Sequence, residues 1–152
     1  MKRLELAIDS DLTQVSLAAV AIHRVCLYLG LNDARAGEVE LCVAEAVTNS
    51  IRHAYHGIPG NRVTIALAAS SDRLLIEVCD TGSAMPLESQ QRLERSLRTP
   101  EVQMCDRTSI PEGGRGLHII RELMDEVSYT SKHQLNHLVM TKYLAEIPRH
   151  EA

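Results

Sequence analysis

The chain has 152 residues, 45% apolar and 24% charged, and a net charge of −4; this is the composition of one domain that buries its core without disulfides or structural metals. It has no polybasic tail, which counts against nucleic-acid or anionic-membrane partners, and four Tyr with no Phe or Trp leave the core aliphatic and offer few platforms for base stacking. No apolar run approaches the ~20 residues of a membrane span, the N-terminus lacks a signal-peptide core, and the four cysteines are widely spaced, so reduced thiols in a cytoplasmic protein are expected.

Leu4, Leu6 and Ile8 alternate with polar residues and predict a short strand. Ser10 or Asp11 then caps a helix with Leu12, Val15, Ala19, Ile22, Val25, Cys26 and Leu29 at helical spacing, stopped by Gly30. Asn32 or Asp33 caps a second helix that runs through Val39, Leu41, Val43, Ala46, Val47, Ser50 and Ile51 to near Tyr55. Gly57, Pro59, Gly60 and Asn61 make a turn. Residues 62–69 and 73–79 read as strands joined at Ser70, Ser71 and Asp72. Residues 83–114 form a long segment with Pro86, Pro100 and Pro111, within which Glu88 to Arg98 suits a short polar helix. A helix follows Gly116 and ends near Asp125; Val127 to Ser131 and Leu138 to Ile147 close the chain as strands. This order predicts an α+β domain: a two-layer sandwich with a mixed, mostly antiparallel sheet and helices on one face.

Three segments carry chemistry. Glu45 and Asn49 stand four apart on a helix, hence on one edge, with Arg52 and His53 a turn on. An amide oxygen suits Mg²⁺, and a neighbouring carboxylate can accept a hydroxyl proton. Asp80-Thr81-Gly82 follows an apolar strand; its carboxylate can accept from an exocyclic amine such as that of adenine, and its glycine permits a close backbone approach. Gly113-Gly114-Arg115-Gly116-Leu117 precedes a helix, where free amides and an arginine favour phosphate. Neither a Walker phosphate loop nor a dinucleotide glycine fingerprint is present. The seven histidines show no ligand spacing, and no transition-metal site is expected.

In this order and at these intervals, the three segments resemble the N box and the two glycine boxes of the GHKL ATPase superfamily, along almost the whole chain. Within it, Glu-Ala-Val-Thr-Asn and His-x-Tyr (Glu45 to Tyr55), Leu-Met-Asp-Glu-Val (Leu123 to Val127) and Met-Thr-Lys-Tyr-Leu (Met140 to Leu144) look like bacterial anti-sigma factor serine/threonine kinases of the stress-response and sporulation type. The resemblance implies the Bergerat ATP-binding fold in a single domain over residues 1–152, with an ATP lid over about 83–113. It implies ATP and Mg²⁺ as cofactors and Glu45 as general base. Asn49 would ligate Mg²⁺, with Arg52 and His53 near the phosphates. Asp80 would read the adenine amine over Gly82, while Gly113, Gly114, Arg115, Gly116 and Leu117 would hold the phosphates. The implied partners are a small STAS-type anti-sigma-factor antagonist as substrate, a sigma factor, and a second copy in a homodimer. A non-catalytic, nucleotide-gated binding protein of the same fold is the alternative, and Glu45 counts against it. Many relatives carry Gly-Thr before the closing strand; Asn136-His137 stands here. Where relatives of the sporulation type place a basic residue before the second glycine box, this chain has Pro111-Glu112, leaving Arg115 as the better γ-phosphate candidate.

Overall fold

The computed structural model describes residues 1–95 and 114–144. Strand β1 (Lys2–Asp9) leads through a single 3-10 turn (Leu12–Gln14) into helix α1 (Val15–Tyr28). Asp11 caps that turn, its Oδ1 accepting from Thr13 N at 2.9 Å. Helix α2 (Asp33–Asn49) is capped by Asn32, whose side chain accepts from Arg35 N at 2.9 Å. Strands β2 (Arg62–Ala69) and β3 (Arg73–Asp80) form a hairpin, followed by helices α3 (Leu87–Arg95) and α4 (Arg115–Leu123) and strands β4 (Glu126–Lys132) and β5 (Leu135–Tyr143).

The sheet order is β1-β2-β3-β5-β4. Every pairing among the described residues is antiparallel, so the expected mixed character is not found. Alternation sends Val63, Ile65, Leu67, Leu74, Ile76, Val78, Leu138 and Met140 to one face, where all are buried. Ile22 and Cys26 of α1 and Val39, Val43, Ala46 and Val47 of α2 complete that core. Burial pushes the thiol of Cys26 up to about 11 and that of Cys42 to about 12, so both are packing groups rather than nucleophiles. No helix among the described residues is long and apolar enough to cross a membrane.

The end of the second helix and the start of the closing strand differ in detail from the sequence reading. The second helix does reach the neighbourhood of Tyr55, but its last turn (Ser50–Ala54) widens to a π-helix, with Tyr55 N donating to Ser50 O at 3.0 Å. The closing strand begins at Leu135 rather than Leu138. His133 and Gln134 both hold positive φ, 51° and 61°, and make a two-residue hairpin without the Asn-Gly signal that would have marked it. The end expected for this strand at Ile147, like residues 96–98 of the polar helix, lies outside the described residues. The polar helix is also better anchored than its composition implied. Leu93 is buried in the core, and Met85 N donates to Tyr129 Oη at 2.8 Å.

Candidate active site

A cavity of about 510 Å³ lies between the C-terminal end of α2, its π turn, the ends of β3 and β5, residues 83–86, and α4. Its floor carries a hydrogen-bond network centred on Asp80. Asp80, at the last position of β3, is buried. Its Oδ2 accepts from Ser50 Oγ at 2.8 Å; its Oδ1 accepts from Asn136 Nδ2 at 2.7 Å and from Gly82 N at 3.0 Å. Asn136 Nδ2 also donates to Gly82 O at 3.0 Å. Both of these neighbours are acceptors, which sets the amide with its nitrogen toward them and leaves Asn136 Oδ1 buried and unpaired among the described residues. Three donors holding one buried carboxylate fix its orientation toward the cavity.

The π turn makes this network possible. Widening the last turn of the helix brings Ser50 against Asp80 and leaves the Ala54 carbonyl to accept from Ser83 N at 2.9 Å. Gly82 fits under that carbonyl: a Cβ there would stand 2.4 Å from Ala54 O. The position of a Gly82 side chain therefore faces the helix turn, and Gly82 is not among the residues that line this cavity. Because the obstruction is backbone, Gly82→Ala is expected to lower stability by about 1–3 kcal/mol. Chemical denaturation reads this, and an unchanged midpoint would show that the contact is unimportant.

Asn49 lines the cavity, and its amide nitrogen is buried without a partner among the described residues. The unpaired nitrogen is a hydrogen-bond donor suited to an oxygen of a bound group, while the oxygen of the same amide is a hard ligand of the kind that Mg²⁺ takes. His53 and Leu117 also line the cavity, whereas Arg52 and Glu45 do not; Arg52 is exposed. Glu45 is half-buried and turned toward α4, its Oε2 2.5 Å from where a Cβ on Gly116 would stand. Gly114 caps α4 without a side-chain hydrogen bond, so the first amides of that helix have no capping side chain and are suited to an anion. Arg115 is exposed at the first position of the helix. Gly113 lies outside the described residues, as does most of the expected lid; its first part, residues 83–86, borders the cavity.

Gly116→Ala contrasts with Gly82→Ala. Here the obstacle is the end of a flexible side chain, so the fold accommodates a methyl by moving Glu45. Stability should hold or rise by roughly 0.5–1 kcal/mol, since alanine is the better helix former. Thermal melting checks this; a lowered midpoint would contradict it.

Sequence reading missed three of the residues in this site. Ser50 looks like part of an apolar helical stripe, and only the π turn rotates it to Asp80. Asn136 shows up in the sequence only as a departure from the usual Gly-Thr. His56 lines the cavity through a positive-φ turn at 54°, which carries no local pattern.

An antiparallel sheet covered on one face by helices, with a cavity at the sheet–helix boundary, defines a two-layer sandwich of the Bergerat type. The chain belongs to the histidine kinase-like ATPase domain family, whose model matches residues 8–142. It is similar to the serine-protein kinase RsbW of Listeria monocytogenes serotype 4a, 27% identical over 144 residues that cover 95% of this chain and 88% of the relative. The RsbW of Bacillus subtilis strain 168 is 29% identical over 141 residues, covering 93% and 85%. Among solved structures, the SiaB–SiaC complex from Pseudomonas aeruginosa shares the fold at a TM-score of 0.62 and 17% identity, over 90% of this chain and 88% of that one. A mycobacterial sensor histidine kinase, MprB, shares it at 0.51 and 17%, over 91% and 97%.

Proposed function

We propose that this protein is an anti-sigma factor and an ATP-dependent protein serine/threonine kinase, whose substrate is a small STAS-type anti-sigma-factor antagonist. The observation that carries the kinase reading is the placement of Glu45. Its carboxylate sits against Gly116 near the N-terminus of α4, one helical turn from Asn49 at the cavity wall. A base is thus held beside the place where phosphates would be received, and apart from the pair that reads the base of the nucleotide.

Asp80, held by Ser50, Asn136 and Gly82, accepts from the adenine amine. The uncapped amides of α4 and the Arg115 guanidinium bind the phosphates. Asn49 holds Mg²⁺, which when bound would offset phosphate charge. Glu45 takes the proton from the attacking serine hydroxyl as the new O–P bond forms and the β–γ bridging O–P bond breaks, releasing ADP. The family resemblance assigns the remaining phosphate-side roles to His53 at the cavity wall, to Arg52 and to Gly113. Leu17, Val20 and Tyr28 of α1 are 68%, 52% and 78% exposed, an apolar surface that supports pairing with a second copy or a sigma factor. Incubation with Mg²⁺-ATP and the cognate antagonist tests the reading: an acid-stable phosphoserine on the antagonist is expected. ATP binding without transfer would favour the non-catalytic, nucleotide-gated alternative.

A further inference from the structure

On the sheet face opposite the helices, β3 and β5 bring together three donors that the phosphate chemistry does not use. Cys79 and His137 are direct cross-strand partners, and Glu77 lies two residues before Cys79, on the same face. The donor atoms of all three lie within 4.8 Å of one another. Cys79 Sγ is 3.3 Å from His137 Nδ1, and the same nitrogen contacts Glu77 Oε1. One thiol, one imidazole and one carboxylate therefore converge on a single point.

We infer that Glu77, Cys79 and His137 form a binding site for a divalent transition metal, with Zn²⁺ as the fitting ion. Sulfur, imidazole nitrogen and carboxylate oxygen together are the donor set of zinc rather than of Mg²⁺ or Ca²⁺. The sulfur–nitrogen spacing agrees as well, while the closer contact between His137 Nδ1 and Glu77 is a hydrogen bond that the ion would replace. Bonds of about 2.3 Å to sulfur and 2.0 Å to nitrogen at tetrahedral angles place the two donors roughly 3.5 Å apart, close to the 3.3 Å found. Side-chain exposures of 30% for His137 and 35% for Glu77 give an ion access and leave a fourth coordination position to water. Glu5 of β1 lies on the same face, in register with Ala66, which in turn pairs with Glu77, and adds negative charge. None of this is visible in the sequence, because strand pairing unites residues 58 positions apart.

The site bears on the nucleotide cavity through the strands alone. Asp80 and Asn136 are the next cross-strand pair after Cys79 and His137 and point to the opposite face. An ion on the outer face would tie together the two strand ends that carry the inner pair.

The test uses the full, tag-free chain, titrated with Zn²⁺ by calorimetry and with Co²⁺ by absorption in the presence of excess Mg²⁺. One ion per chain and a near-ultraviolet thiolate-to-Co²⁺ band are expected. The band should vanish in Cys79→Ser and survive in Cys105→Ser. His137→Gln should weaken Zn²⁺ binding at least tenfold, the lower end of what even indirect partners of a metal contribute. Zn²⁺ should raise the melting temperature of the wild type and not that of Cys79→Ser. Should Cys79→Ser fail to fold, judged by circular dichroism without metal, the half-exposed Glu77→Gln serves instead, with the same tenfold loss expected. A wild type without the band, a band that persists in Cys79→Ser, or unchanged Zn²⁺ affinity in His137→Gln would overturn the site and leave a plain histidine–carboxylate pair beside a thiol.

Discussion

Glu45→Gln should reduce phosphate transfer by about 10²–10⁴-fold, the usual contribution of a positioned base, while ATP affinity stays within about twofold. The structure explains why the two quantities separate. Glu45 makes no part of the cavity wall, and its carboxylate faces Gly116 across the α2–α4 contact. Glutamine keeps the shape and the packing there and removes only the ability to take a proton. Stability should be unaffected, because no hydrogen bond or ion pair to Glu45 holds the described part of the fold together. A single-turnover transfer assay beside nucleotide titration reads both effects. If transfer survives in Glu45→Gln, the base is another residue; if ATP binding falls equally, Glu45 is a structural support.

The second large effect is expected at Asp80. In Asp80→Asn the amide oxygen keeps the bonds from Asn136 Nδ2 and Gly82 N, and the new amide nitrogen donates to Ser50 Oγ, which accepts as readily as it donates. The fold should therefore persist. What is lost is a charged acceptor for the adenine amine, a bond worth about 1.5–3 kcal/mol, so ATP affinity should fall roughly 10- to 150-fold. Asp80→Ala should behave differently, stranding three donors in a buried network and lowering stability as well as binding. Calorimetric titration with ATP and a denaturation curve for each variant separate the cases. Unaltered ATP affinity in Asp80→Asn would place the nucleotide elsewhere.

The fold was readable because its periodicities are clean. β2 alternates, β3 does so apart from the adjacent Leu74 and Leu75, and α2 carries an apolar stripe between a capping Asn32 and a turn marked by Gly57. The acid–amide pair on α2, the Asp-x-Gly after β3 and the glycines before α4 were legible as separate motifs, and their order indicated one site. What escaped was set by tertiary geometry. A π turn has no sequence period, so Ser50 passed for a core-facing residue. Asn136 gains meaning only from its register opposite Asp80. The apolar-to-polar alternation of β5 was read from Leu138, because an asparagine two residues after a hairpin of His133 and Gln134 resembles a loop. Gly82 was correctly marked as a close-approach glycine, but what approaches it is the Ala54 carbonyl. The same cross-strand logic hid Cys79 and His137 from each other.

Mass spectrometry of the cognate antagonist after incubation with Mg²⁺-ATP and either wild-type or Glu45→Gln chain tests the kinase assignment most directly. A single phosphoserine with wild type and none with Glu45→Gln, at matched ATP occupancy, is the predicted result. An unmodified antagonist with wild type fully loaded with ATP would contradict it.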